Sequence, residues 1–313
     1  EKIREEPDKG GYTVEQKKTA DHPASDRPRS PATEARIKEK NRRILMTVSL
    51  FVFLAAGNFL MRENDRWKLR ETTVIPTAVI VEGKTTDQAQ SDKEDTSPLS
   101  VEEKIFAEPS KYPSSFLDAL RRNPEIADFV AAYPDTEQKA FGGIRESELP
   151  EKVPLFIQWD KRWGYVPYGQ SNVGISGCGP TCLSMVLYSL TGDKNLTPDM
   201  LAQRAMEDGY YVEGVGTSWL FMGDIAREYG ITVNQFPSAD LRQMEETVDN
   251  GGLIICAVGP GDFTDEGHFI VIRGISDGML TINDPFSKAN SRKKWDYNTV
   301  APQVLQVWTY AAQ

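Results

Sequence analysis

One run of residues decides how this chain can be laid out. From Ile44 to Met61, ILMTVSLFVFLAAGNFLM, the sequence holds no charge. As a helix the run spans about 27 Å, enough for the hydrocarbon core of a bilayer. Arg36, Lys38, Lys40, Arg42 and Arg43 stand just before it, while the far flank, Arg62-Glu63-Asn64-Asp65-Arg66, is mixed. Basic flanks stay on the cytoplasmic side. The expectation is therefore a transmembrane helix over 44–61 in a single-pass cell-membrane protein, with the N-terminus cytoplasmic and the rest extracellular. A cleaved signal competes, because Ala55-Ala56-Gly57 offers small residues, but the leading segment is long for one. A buried core helix also competes, but nothing around the run is globular.

The run also divides what flanks it. Residues 1–43 are charged, contain many Pro and Ser, and hold almost no large apolar side chains. They bury too little to offset chain entropy, so they are expected to be a disordered cytoplasmic tail. Residues 62–100 are expected to be a stalk and linker, with a β-like stretch from Thr73 to Val81 interrupted by Pro76 and a flexible part over 84–99. A small helical region is expected over 101–150. Ser114 or Ser115 is placed to cap a helix carrying Phe116, Leu117 and Leu120, and a second helix near Pro124 would bury Ile126, Phe129 and Val130.

From 151 to 313 the composition becomes globular. Helices are predicted at Cys178–Leu190, Leu201–Met206, Trp219–Tyr229 and Leu241–Asp249. Strands are predicted at Leu253–Val258, His268–Gly274, Met279–Asn283 and Val304–Thr309. In the first helix Pro180 suits the opening turn, Leu183, Val186, Leu187 and Leu190 share a face, and Gly192 ends it. The pattern reads as an α+β fold in which the helix that begins at Cys178 packs on an antiparallel sheet.

Charge and cysteine content exclude several functions. Net charge is −10, and residues 1–43 carry more basic than acidic side chains, so the remainder is more acidic still. Such a body repels phosphate backbones, so no nucleic-acid partner is expected. There are three cysteines, Cys178, Cys182 and Cys256. An odd number rules out a closed disulfide scaffold, and the spacing lacks paired zinc ligands. No metal and no cofactor are expected.

The segment Gly177-Cys178-Gly179-Pro180-Thr181-Cys182 carries the chemistry. At the first turn of a helix, unpaired backbone N–H groups and the positive end of the dipole stabilise a thiolate. Gly177 and Gly179 have no side chains to keep a substrate backbone away. The chain has two histidines, and His22 lies in the tail, so a histidine base must be His268 at the mouth of its strand. A base needs an orienting partner. Ser276-Asp277-Gly278 predicts a hairpin whose second strand returns to Asn283-Asp284-Pro285 near His268. Side chains alternate along a strand, so only one of Asn283 and Asp284 shares a face with His268. A two-residue turn favours Asn283, and a three-residue turn with a bulge favours Asp284. An oxyanion site needs donors: the Cys178 amide can supply one, and Gln158 or Gln170 another. Tyr211, Gly216 and Trp219 lie in an aromatic, Gly-containing loop suited to line a substrate cleft. Cys182 and Cys256 read as core.

Several motifs in order carry a resemblance: Val153-Pro154, Gln158-Trp159-Asp160 and Arg162-Trp163-Gly164, then GCGPTCLSMVL at 177–187, GHFIVI at 267–272 and NDP at 283–285. Together they resemble the papain-like cysteine peptidases related to bacteriocin-processing, double-glycine-leader peptidases, over roughly 150–310. The resemblance implies Cys178 as nucleophile, His268 as base, Asp284 as orienter and Gln158 as the oxyanion glutamine. It also implies a peptide or protein substrate. Twenty positions separate Gln158 from Cys178, more than is usual in that family, so Trp163–Ser176 is expected to loop out. The leading expectation is an anchored extracellular cysteine peptidase working through a thioester. An acyl or amide transferase acting on cell-wall peptides with the same triad, and a non-catalytic surface binding module, are the alternatives.

Overall fold

The computed structural model describes residues 99–148 and 152–312. The expected tail, the 44–61 anchor and all of the stalk but its last two residues lie outside the described residues. Among the described residues no helix is long and apolar enough to cross a membrane.

The chain first builds three short helices, α1 (Val101–Ala107), α2 (Ser114–Arg122) and α3 (Ala127–Ala132). A capping box starts α1: Ser100 Oγ accepts from the Glu103 N–H, and Glu103 Oε2 accepts from the Ser100 N–H at 2.7 Å. At α2 the sequence reading needs correction. Ser114 is the first helical residue, Pro113 occupies the cap, and no side chain bonds there. The fixed φ of proline orders the entry where a serine oxygen was expected to. The turn Pro124–Ile126 leads into α3, and Ile105, Phe116, Leu120, Phe129 and Val130 close into one cluster. That cluster also contains Ile157, Trp159 and Tyr165. The helices therefore share a core with the part that follows.

The main sheet has six strands: β1 (Ile231–Phe236), β2 (Leu253–Val258), β3 (His268–Ser276), β4 (Met279–Asn283), β5 (Lys294–Asp296) and β6 (Val304–Ala312). Their order is β1-β6-β2-β3-β4-β5, and every neighbouring pair is antiparallel. β1 and β5 are strands the sequence reading did not place. β1 is an edge of alternating pattern, and β5 is only three residues long. All six residues of β2 are buried, because both of its faces are covered. Leu253, Ile255 and Ala257 join one core, and Ile254, Cys256 and Val258 join a second.

The first core holds the helix that matters most, α4 (Cys178–Thr191), flanked by α5 (Pro198–Glu207) and α6 (Trp219–Glu228). The second is covered by α7 (Leu241–Asp249) through Met244. α4 is buried from Gly179 to Tyr188, so it is a central helix rather than an amphipathic surface one. Each fully buried Leu or Val on it contributes about 1.5–3 kcal/mol. Gly192, at φ 72, turns the chain out of α4. The first core therefore fixes where α4 begins, and β3 fixes where His268 stands beside it.

Candidate active site

Cys178 is the first residue of α4 and is half-buried. The glycines on either side of it are small because the protein itself crowds them. A Cβ on Gly177 would lie 2.5 Å from the Val173 carbonyl oxygen, and one on Gly179 would lie 2.7 Å from Thr217 Oγ1. A side chain at either position would therefore meet the fold itself. The contact at Gly179 seats the 211–217 hairpin against the start of α4. In that hairpin Tyr211 packs edge-on to Tyr168 at 5.1 Å. Gly216 uses a φ of 96, where a side chain would be strained. Trp219 packs edge-on against Trp308 at 5.8 Å.

His268 opens β3 and is buried. Its Nε2 lies 2.8 Å from Asp284 Oδ1. Cys178 is close enough to the ring to help hold its proton. Burial works against an imidazolium here. The Asp284 charge and hydrogen bond outweigh it, with smaller help from Cys178, and the His268 pKa is pushed up to about 10. Burial also disfavours the Asp284 carboxylate. The His268 charge, with hydrogen bonds from His268, Asn290 and the Phe286 N–H, nevertheless holds it below the usual carboxylate range. Oδ1 also accepts from Phe286 N at 2.8 Å and Ser287 N at 3.2 Å, and Asn290 Nδ2 reaches Oδ2 at 2.9 Å.

The choice between Asn283 and Asp284 is made by a bulge. The turn has two residues, Asp277 and Gly278, at φ 52 and 72. Turn length alone would favour Asn283. The register then shifts: Gly274 faces Thr281, but Ile272 faces Ile282 and Val271 faces Asn283, leaving Arg273 as the extra residue. One extra residue exchanges the faces. Asn283 therefore points away from His268. It accepts from Arg273 Nε at 2.9 Å and donates to the Val153 and Pro154 carbonyls.

Gln158 is buried, and its Nε2 donates to the Gly174 carbonyl at 3.0 Å. Among the described residues its Oε1 is buried without a partner. The reversed amide would set two oxygens against each other, so the orientation is fixed. Its backbone N–H donates to the Pro285 carbonyl at 2.8 Å, beside Asp284. Gln170 is exposed and reaches Glu213 at 3.3 Å, so it lies apart from this cluster. The Trp163–Ser176 segment does not loop out. Trp163, Tyr165, Tyr168 and Val173 are buried, and the segment delivers the Gly174 carbonyl to Gln158.

The remaining thiols, Cys182 and Cys256, are buried. Burial pushes Cys182 well above its ordinary value and Cys256 up to about 12. Among the described residues no cluster of His, Cys, Asp or Glu is arranged to hold a metal ion. Sequence reasoning missed Asn290 and Phe286. Asn290 lies six residues past Asp284 in a polar stretch with no motif to mark it. The Phe286 ring sits edge-on to His268 at 6.4 Å.

Residues 150–313 match the model of the Peptidase_C39 like family. Three solved structures are similar. The peptidase domain of Streptococcus ComA, a bi-functional ABC transporter involved in a quorum sensing pathway, is 18% identical, with a TM-score of 0.36 over 47% of this chain and 97% of that one. A C39-like peptidase from Bacillus anthracis is 16% identical, with a TM-score of 0.34 over 51% of this chain and 95% of that one. Ly7917, solved with the hydrolyzing product of MDP, is 15% identical, with a TM-score of 0.23 over 43% of this chain and 55% of that one. No curated protein matches the chain.

Proposed function

The chain belongs to the Peptidase_C39 like family, and from that premise we propose that it is a cysteine peptidase with Cys178 as nucleophile, His268 as acid and base, and Asp284 as orienter. The observation that carries this reading is the buried 2.8 Å bond from His268 Nε2 to Asp284, with Cys178 among the groups that favour the ring's proton. A ring held in that way takes the thiol proton on Nδ1. The thiolate adds to the carbonyl carbon of a peptide bond. The negative charge that develops on its oxygen is met by the Cys178 backbone N–H and the second amide N–H of Gln158. The tetrahedral adduct collapses, the C–N bond breaks, and His268 hands its proton to the leaving amine. A thioester remains on Cys178. Water then attacks it, giving up a proton to His268, and the carboxylic acid leaves as the sulfur regains a proton.

The test needs no known substrate. The rate of Cys178 alkylation by iodoacetamide is measured against pH, with peptide mapping by mass spectrometry. Under this reading Cys178 reacts in mild acid, where a free thiol does not, and His268→Ala abolishes that reactivity. Equal rates at Cys178 and at the buried Cys182 and Cys256 would sink it.

We further propose that the uncharged 44–61 run anchors the enzyme with its peptidase part outside the cell. The basic cluster before the run supports that orientation.

A further inference from the structure

The family match begins at residue 150, yet the segment that orients the histidine is held by residues well before it. Asn123 Nδ2 donates to the Phe286 carbonyl at 2.6 Å, and Trp159 Nε1 donates to the same oxygen at 2.7 Å. Glu125 Oε2 accepts from the Lys288 N–H at 2.8 Å, the Ala289 N–H at 3.3 Å and Ser287 Oγ at 3.4 Å. Those are the first N–H groups of the short helix Lys288–Arg292, and its Asn290 holds Asp284 Oδ2. Glu125 is fixed in its turn: its own N–H donates to Asn123 Oδ1 at 3.1 Å. From the same helical element the Phe129 ring fills the space beside Gly164 and Gly174. A Cβ on Gly174 would lie 2.3 Å from that ring, and the Gly174 carbonyl is the one that holds Gln158.

We propose that the helical element over 101–135 is part of the catalytic apparatus, with Glu125 and Asn123 as positioning residues that set the Asp284 loop and, through it, the His268 ring. This inference rests on the proposed triad. Asp284 lies on a turn past the end of β4, and the sheet ladder stops before it. Its carboxylate must stay within hydrogen-bond length of His268, and a backbone turn drifts unless its own polar groups are held. Two carbonyl bonds at Phe286 and the Glu125 cap at Lys288 and Ala289 hold it on both sides of Ser287. A carboxylate cap on a helix start also favours the N–H groups it accepts from.

The test reads the His268–Asp284 pairing through Cys178. Alkylation by iodoacetamide is followed against pH in the native chain, Glu125→Ala, Glu125→Gln and His268→Ala, with melting followed by circular dichroism. Glu125→Ala is expected to slow Cys178 alkylation at mildly acid pH by about 10-fold or more, and to move the alkaline limb of the profile down. Glu125→Gln keeps an acceptor oxygen and is expected to restore most of the native profile. If Glu125→Ala melts below the assay temperature, Asn123→Ala takes its place with the same expectation. A folded Glu125→Ala chain with a native profile, where His268→Ala has changed it, overturns this inference alone. An unchanged profile in His268→Ala overturns the triad and this inference with it.

Discussion

At the scale of single residues the site depends on two linked protonation states. The His268 pKa is raised to about 10 and that of Asp284 is lowered. A raised histidine binds its proton more tightly in the folded chain. Its contribution to stability is fully present below about pH 6.5 and is lost as pH rises through about 10. A depressed carboxylate works in the opposite sense: its contribution is present above its ordinary value of 3.8 and is lost as pH falls through the lower folded value. Melting temperature against pH should therefore show two limbs, and Asp284→Asn should flatten both. The same substitution should suppress Cys178 alkylation between about pH 6.5 and the native alkaline limb. Asn283→Ala is the contrast. It removes bonds to the Val153 and Pro154 carbonyls and to Arg273. It should cost about 1–3 kcal/mol in urea unfolding, with the pH profile of Cys178 left in place.

At the scale of elements, glycines divide by what surrounds them. Gly192 ends α4 at φ 72, and a Cβ added there would meet nothing within 4 Å. Its replacement by Ala should cost only the backbone term, about 1 kcal/mol. Gly174→Ala is a different case, because its methyl would meet Phe129 at 2.3 Å. The ring or the 173–176 turn must move, at about 1–3 kcal/mol, and the carbonyl that holds Gln158 moves with it. Thermal melts of the two variants should rank in that order. Only Gly174→Ala should also slow turnover of a peptide. The β3–β4 hairpin shows the same dependence on one residue. Deleting Arg273 would remove the bulge and restore Asn283 to the face of His268. The expected result is loss of the acid reactivity of Cys178 in a chain that still forms its sheet.

For the whole molecule the helical element is the deciding part. Ile105, Phe116 and Phe129 share a core with Trp159 and Tyr165, so helices and peptidase part should unfold together. A chain beginning at residue 150 is expected to show a lower melting temperature and exposed apolar surface, read as dye binding, rather than an intact smaller domain. Topology is the other prediction at this scale. Protease shaving of intact cells should remove the C-terminal part while an N-terminal tag survives. Full protection of the C-terminal part would place it in the cytosol and end the proposal of an outward-facing site.

The sequence alone determined what depends on residue type and local pattern. A cysteine at a helix start before Pro180, a single histidine outside the tail and the Asp277-Gly278 turn carry their meaning within a few residues. They gave α4, β2, β3 and β4 and named Cys178, His268 and the pair Asn283 and Asp284. β1 was missed because an edge strand takes its pairing from β6, far along the chain, and β5 because three residues are too few to show a period. What only the tertiary structure decided is geometry that depends on register and long-range contact. The bulge at Arg273 reversed the faces of β4, because in a strand one residue of slip turns every side chain over. The crowding of Gly177 and Gly179, the folded 163–176 segment and the clamp from Asn123 and Glu125 onto a turn 163 residues later came from packing between segments. No local pattern encodes that packing.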